Sequence, residues 1–357
     1  VLDEPERIRE LLEATAPHHP VQRYFKSAAE MRAQSGPAAM IIAPNFRGDW
    51  ATEGNRVEGV EPILESARLR EAAGKLFGSD RVRPWGVYSN ITWQLPFDQG
   101  RGHTDVPAFL GVDRRRYPTW FLGAMGHSGL FEEERVNIAT AVSWFYEGSD
   151  GGFEYWPDGP EAASRIHEGE IFNTGVMGDN DRMFHRVRPV GRREDGLLTG
   201  MTLETRLEHD GGDAWAIRTR GDTLAEMSFD ALRVSVSWKA YVYRDAAQRR
   251  AHEEERGALG LDEVMDRFSV DLHGRGVVFA PPADPPRSIA VRGAGEVPAQ
   301  VERMTLVARL LETSEIAEDA REELAAARAK ALEELLAGDV PNLVVRALGP
   351  QVGYARE

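Results

Sequence analysis

The chain has 357 residues, enough for one large domain or two smaller ones, and its 42% hydrophobic and 28% charged residues are typical of a soluble globular protein. It contains no cysteine, which excludes disulfides, thiolate metal ligands and cysteine nucleophiles, so that His, Asp or Glu would have to hold a metal. The net charge of −15 argues against nucleic acid as a partner, because phosphates require a basic surface. No apolar run approaches the roughly 20 residues of a membrane span, and the first residues do not resemble a signal peptide. We therefore expect a cytoplasmic protein with no membrane partner.

The first part of the chain is predicted to be helical. Apolar residues recur at helical spacing over 5–14, 21–33 and 60–77. His18 and His19 lie at the entrance of the second of these segments, and we expect both at the surface.

The middle of the chain is predicted to be strand-rich. Residues 86–95 are rich in aromatic and β-branched side chains and are followed by a proline. Clusters of Gly, Pro, Asp and Asn separate further predicted strands at 119–125, 137–146, 152–156, 170–174, 183–190, 198–208, 214–219 and 232–243. Many short strands with such turns predict an antiparallel sandwich or jelly roll.

Helices are predicted again at 245–256, 261–268 and 301–337, with a stiff proline-rich connector at 280–286. This pattern predicts a mainly-β fold in three parts. A helical region at 1–84 and another at 244–357 flank a catalytic β core at 85–243. The apolar faces of the helical parts should pack on the core or on a second subunit, so a homodimer is one expectation.

A metal site is predicted from three residues. His103 and Asp105 are two apart on an extended segment, so their side chains point to the same face. His185 lies in segment 182–190, where apolar and polar residues alternate as in a strand. The alternative second histidine, His167, is predicted to lie in a turn before a strand, and we therefore favour His185. Two imidazoles and one carboxylate leave coordination positions open on non-haem Fe(II).

These residues resemble a known family. The pattern His103-x-Asp105, the glycine turn at 150–152 leading into 153–157, the strand at 169–172 and the Phe-His-Arg-Val of 184–187 occur in the order seen in Fe(II)- and 2-oxoglutarate-dependent oxygenases. The resemblance covers about residues 85–243.

The resemblance implies a double-stranded β-helix, that is a jelly-roll, cupin-like core, with Fe(II) held by His103, Asp105 and His185 at its open mouth. It also implies that 2-oxoglutarate and dioxygen are used to oxidise an unactivated C–H bond of a small molecule, with release of succinate and CO2. Hydroxylation is preferred over desaturation or cyclisation. Relatives that halogenate lack the carboxylate ligand, so Asp105 disfavours halogenation. The substrate is expected to be an amino-acid derivative or a natural-product intermediate.

A co-substrate clamp is predicted on the last strand of the core. Arg233 and Ser235 share one face of 232–241 and resemble the family's Arg-x-Ser strand, where a planar guanidinium can pair with a carboxylate. Arg233 lies 48 residues after His185, farther than is usual in the family, which predicts an inserted hairpin.

Two points stay open for this clamp. Without the insertion, Arg188 or Arg206 would hold the carboxylate instead. Asn90, on the strand preceding the metal pair, could line the same pocket or serve as an ordinary structural residue.

The alternative is a metal-dependent cupin enzyme, an isomerase or a hydrolase, that does not use 2-oxoglutarate. Such an enzyme would use the same three ligands but would have no need of a buried carboxylate clamp. Arg233 and Ser235 therefore count against it.

Overall fold

The computed structural model describes residues 1–21, 23–25, 40–96, 102–114, 117, 119–148, 150–202, 204–274, 277–279 and 314–316. The chain divides into two compact units: Val1–Asp105 with Asn137–Arg244, and Val106–Val136 with Asp245–Glu357. The candidate site lies in the first unit. The three-part division at residues 84 and 243 stays a prediction.

The first unit begins with helices where helical spacing predicts them. Helix α1 spans Arg7–Thr15, and the predicted segment 60–77 forms two helices, α2 (Glu61–Leu64) and α3 (Ala67–Phe77). The hydroxyl of Ser66 accepts a hydrogen bond from the Leu69 N–H and so starts α3. Within the predicted helix at 21–33, residues 23–25 form a strand, and the remainder from 26 onward lies outside the described residues.

The strands of the first unit are β1 (His19–Pro20), β2 (Arg23–Phe25), β3 (Met40–Ile42), β4 (Asn45–Thr52), β5 (Asn55–Arg56), β6 (Val82–Thr92), β8 (Arg135–Trp144), β9 (Phe153–Trp156), β10 (Arg165–His167), β11 (Thr174–Gly178), β12 (Phe184–Val187), β13 (Arg206–Gly211), β14 (Ala214–Thr219), β15 (Asp222–Ser228) and β16 (Arg233–Val242). All their pairings are antiparallel. The main sheet has the order β1-β4-β6-β16-β8-β11, and a second sheet has the order β10-β9-β12.

The two sheets face each other across the interior that holds the candidate site. The ring of Phe153 on β9 lies 5.6 Å from Trp144 on β8 and 5.5 Å from His185 on β12. A bridge between His103 and His185 extends the second sheet by one more segment. The mainly-β fold with a jelly-roll core is thereby confirmed.

Strand β16 is the central strand of the main sheet and is buried along its whole length. Its even-numbered residues, Val234 to Ala240, join the hydrophobic core that also contains α1, α2 and α3. The indole N–H of Trp238 donates to the carbonyl of Leu64 in α2 at 2.9 Å. The odd-numbered residues from Arg233 to Lys239 point to the opposite face, toward the second sheet, because strand side chains alternate.

An insertion separates β12 from β16, as the long interval after His185 predicts. It is a three-stranded antiparallel sheet, β13-β14-β15, whose residues Leu207, Trp215 and Ile217 are buried in the core cluster. The predicted strand at 198–208 is wrong before Arg206, because the described residues there form turns and irregular backbone.

The predicted strand at 170–174 is also placed wrongly. Residues 169–173 form a turn, with Asn173 at φ 52°, and β11 begins only at Thr174.

The second unit is described by its own elements. Strand β7 (Ala108–Phe109) pairs with the first two residues of β8, Arg135 and Val136, which belong to this unit, and helices α4 (Thr119–Ser128), α5 (Ala246–Glu254) and α6 (Leu261–Gly274) follow. Strands β17 (Val277–Phe279) and β18 (Ser314–Ile316) pair with each other. The helices predicted at 245–256 and 261–268 are confirmed.

Two predictions in the second unit need comment. The strand predicted at 119–125 is wrong, because this short apolar run lies in α4, and periodicity alone cannot distinguish a buried strand from a buried helix over that length. Within the predicted helix at 301–337, residues 314–316 form a strand, and the other residues lie outside the described ranges, as does the connector at 280–286.

Among the described helices, none combines the length and apolar character that crossing a membrane requires.

Candidate metal centre

Backbone hydrogen bonds bring the three predicted ligands together. The His103 N–H donates to the His185 carbonyl and the His185 N–H to the His103 carbonyl, each at 3.0 Å. The Asp105 N–H donates to the carbonyl of Asn180 at 2.7 Å. One ligand atom from each of the three residues lies within 4.8 Å of those of the other two. The segment of His103 is thus held against β12 so that both histidines and the aspartate converge.

The tautomer of His185 is set by its surroundings. Its Nδ1 lies 3.0 Å from the carbonyl of Met183, so that Nδ1 carries the proton and donates it. Its Nε2 is then left with a lone pair and lies 3.8 Å from Oδ1 of Asp105. A backbone carbonyl that orients the second nitrogen of a histidine is the usual outer partner of a metal ligand.

The protonation states also suit metal binding. Desolvation by the surrounding protein, with a further contribution from His185, lowers the pKa of His103 to about 4, although the residue as a whole is exposed. Desolvation opposes ionisation of Asp105, but the Lys239 ammonium and then the two histidines hold its pKa below the usual value. At neutral pH His103 is therefore neutral and Asp105 is charged. Two imidazoles and one carboxylate are a donor set that fits Fe(II).

Lys239 is a residue of the site that the motif analysis missed. Its Nζ donates to Oδ2 of Asp105 at 2.7 Å and to Oγ1 of Thr140 at 3.1 Å. Desolvation opposes its charge, but Asp105 raises the pKa of Lys239, so that the buried amine is cationic. The alternation that places Arg233 and Ser235 on the inner face of β16 extends to Lys239 and could have identified it.

Arg233 and Ser235 lie on the same inner face as Lys239. Arg233 is only 3% exposed; its Nε donates to the carbonyl of Gly151 at 2.7 Å and its Nη1 to the hydroxyl of Ser235 at 3.3 Å. Its Nη2 is buried and has no hydrogen-bond partner among the described residues. Burial lowers the pKa of Arg233, but arginine stays protonated in proteins.

Gly151 explains why the glycine turn precedes β9. A Cβ at this position would lie 2.5 Å from both Cδ and Nε of Arg233, and its φ of 67° favours glycine as well. The turn therefore lets the backbone approach the guanidinium closely enough for its carbonyl to accept a hydrogen bond.

Asn90 faces the same interior from the neighbouring strand. It is paired with Ser235 in the register of β6 and β16, and its amide donates to the hydroxyl of Ser237 at 3.4 Å. Its contact with a co-substrate stays a prediction.

The residues considered as alternatives have other partners. His167 lies on β10, where its Nε2 is 2.8 Å from the hydroxyl of Thr174. Arg188 is an exposed ion-pair partner of Glu168 at 3.4 Å, and Arg206 donates to the carbonyl of Thr205.

His18, which the sequence suggests is at the surface, is buried instead. Its Nε2 lies 3.0 Å from the carbonyl of Leu12, and its ring stacks on Trp215. The inserted sheet covers it, which the local sequence around His18 could not indicate.

Similarity to known proteins was found among solved structures and not among family models or curated proteins. No protein-family model matches the chain, and no curated protein matches it. A solved structure that it resembles is a prolyl-4-hydroxylase from Pseudomonas putida, with 13% sequence identity over 68% of this chain and 99% of that chain, at a TM-score of 0.27.

Proposed function

We propose that this protein is an Fe(II)- and 2-oxoglutarate-dependent oxygenase that oxidises, most simply by hydroxylation, an unactivated C–H bond of a small molecule. One observation carries the proposal. Two histidines and one aspartate line the same interior as the buried Arg233, whose Nη2 has no hydrogen-bond partner among the described residues. A buried guanidinium donor without a partner is costly, and a carboxylate is the ligand whose geometry it matches.

The charges around the site support a dianionic co-substrate. Arg233 and Lys239 are buried cations; Asp105 and the buried Asp181 act on Lys239, and Asp150 acts on Arg233. A divalent metal would add two positive charges to this interior. Because uncompensated buried charge is unfavourable, a ligand with two carboxylates would offset the charge of the metal.

Each residue has a role in this proposal. His103, Asp105 and His185 would hold Fe(II), which when bound supplies activation of dioxygen coupled to conversion of 2-oxoglutarate to succinate and CO2. Arg233 and Ser235 would bind the distal carboxylate of 2-oxoglutarate, and Asn90 would line the same pocket. The surrounding strands exclude water and orient the small-molecule substrate.

The rival function is a metal-dependent cupin isomerase or hydrolase. It would use the same three ligands. The buried Arg233, whose Nη2 has no hydrogen-bond partner within the described part of the chain, favours the oxygenase, because the rival chemistry does not require a carboxylate co-substrate.

The test is turnover of 2-oxoglutarate by the purified protein with Fe(II), ascorbate and air. We expect slow succinate formation without substrate and stimulation by the true substrate, which a metabolite mixture would reveal. The Asp105→Ala variant is the matched negative control. A protein that binds Fe(II) but neither binds 2-oxoglutarate nor forms succinate would exclude the oxygenase and leave the cupin alternative.

A further inference from the structure

The two oxygens of Asp105 face different partners. Oδ1 lies 3.8 Å from Nε2 of His185, on the side where the three ligand atoms converge. Oδ2 accepts a hydrogen bond from the Lys239 ammonium at 2.7 Å. A carboxylate can hold a metal through one oxygen or through both, and a charge-assisted hydrogen bond to one oxygen competes with its use as a second ligand.

Lys239 is itself held firmly in place. It is 5% exposed, lies on the central strand β16, and donates a second hydrogen bond to Thr140, its neighbour in the register of β8. Asp181 contributes a second negative charge near the ammonium. The amine is therefore a fixed charge beside the candidate metal position and not a mobile surface lysine.

A fixed cation beside the ligands affects metal and anion in opposite ways. It repels a divalent metal that enters alone, and it attracts an anion that chelates the same metal. An anion that chelates the metal tightens metal binding, and by linkage the factor is the same in both directions. At a given anion concentration the cation increases this tightening, because it strengthens binding of the anion to the metal-loaded site.

We propose that Lys239 is a positioning residue that limits Asp105 to one metal-binding oxygen and makes tight metal binding depend on a dianionic chelating ligand. The role of Lys239 applies to any such dianion, and only the identification of that dianion as 2-oxoglutarate rests on the proposed function.

The experiment measures Co(II) affinity by calorimetry without air, first alone and then at one fixed concentration of oxalate or 2-oxoglutarate, the same for every variant. In the parent protein we expect either dianion to tighten Co(II) binding about tenfold or more. In Lys239→Met, which keeps an unbranched side chain one atom shorter and removes the charge, Co(II) alone should bind as tightly as in the parent or more tightly, and the tightening by dianions should fall to about twofold or less. The Co(II) absorption band should also change, because Oδ2 of Asp105 becomes free to bind the metal.

Two further variants make the result specific. Lys239→Arg retains a cation and should restore most of the tightening. Lys75→Met, which removes an exposed lysine on α3 paired with Glu71, should behave like the parent.

Several outcomes would overturn the inference. One is a parent protein in which neither dianion tightens Co(II) binding, a measurement that does not depend on any variant folding. Another is Lys239→Met that binds Co(II) more weakly while the tightening by dianions is unchanged, which would mean a structural role alone.

If oxalate shows the effect and 2-oxoglutarate does not bind, the inference stands and the proposed function fails. If both dianions act equally in the parent and in Lys239→Met, the inference fails and the proposed function stands.

Discussion

At the scale of single residues, His103, Asp105 and His185 form a group whose candidate ligand atoms all lie within 4.8 Å of one another. The other described histidines and carboxylates form no such group of three. We expect His103→Ala, Asp105→Ala and His185→Ala each to weaken Co(II) or Fe(II) binding by more than about 100-fold, since even outer partners of a metal site contribute 10–100-fold. Calorimetric titration with the metal measures this. His167→Ala is the control and should bind as the parent does. Loss of binding in His167→Ala with retention in His185→Ala would show that the distal ligand is misassigned.

Arg233 is expected to determine affinity for 2-oxoglutarate and to leave metal binding nearly unchanged. Removing one partner of a buried, hydrogen-bonded charge pair costs about 2–5 kcal/mol, or roughly thirty-fold to several thousand-fold in affinity. Arg233→Lys should recover little, because an ammonium cannot reproduce the planar guanidinium. Anaerobic titration of the Fe(II) protein with 2-oxoglutarate measures the effect. Arg188→Ala and Arg206→Ala should bind like the parent, and a loss in either one with Arg233→Ala intact would move the clamp to Arg188, just after β12, or to Arg206 at the start of β13.

At the scale of elements, β16 joins the helical layer to the site. Its outer face packs on α2 and α3 through Trp238, which is 1% exposed, while its inner face carries Arg233 and Lys239. We expect Trp238→Ala to lower the free energy of unfolding by about 3–5 kcal/mol, because it leaves a cavity and an unpaired Leu64 carbonyl. Urea titration measures this. Leu76→Ala, at a 45% exposed position on α3, should change stability little, and an equal loss in both variants would contradict this account.

The sequence predicts those elements whose side-chain period is unambiguous. Alternation alone places Arg233 and Ser235 on one face, and His-x-Asp spacing places His103 and Asp105 on one side. The run at 119–125 fails because its residues are nearly all apolar, so a helix and a strand bury it equally well. Lys239 was missed because its importance depends on Asp105, which lies 134 residues away in the chain.

At the scale of the whole molecule, buried histidines predict how stability depends on pH. Burial lowers the pKa of His18 from 6.5 to about 4 in the folded protein. Between pH 6.5 and pH 4 the unfolded chain binds a proton that the folded chain does not, so stability falls as the pH falls through this window. One such group accounts for about 3 kcal/mol across the window.

The variant His18→Gln tests this linkage. It should be less stable at pH 7, because the buried ring is lost, but its stability should fall less steeply between pH 6.5 and pH 4. Urea titrations of the metal-free protein at several pH values give both slopes. Parallel slopes for parent and variant would show that His18 is not responsible.

The position of β16 in the main sheet also determines when the site can exist. Strand β16 lies between β6 and β8, which do not pair with each other. Both are synthesised before β16, so each keeps one unpaired edge until residues 233–242 leave the ribosome. Such distant pairings make folding slow. Arg233 and Lys239 arrive on the strand that closes the sheet, so these two buried cations join the three candidate ligands late, after the pairing of the His103 segment with β12 can already form. A nascent or partly folded chain therefore lacks the ammonium that pairs with Asp105 and the buried guanidinium until this strand is in place.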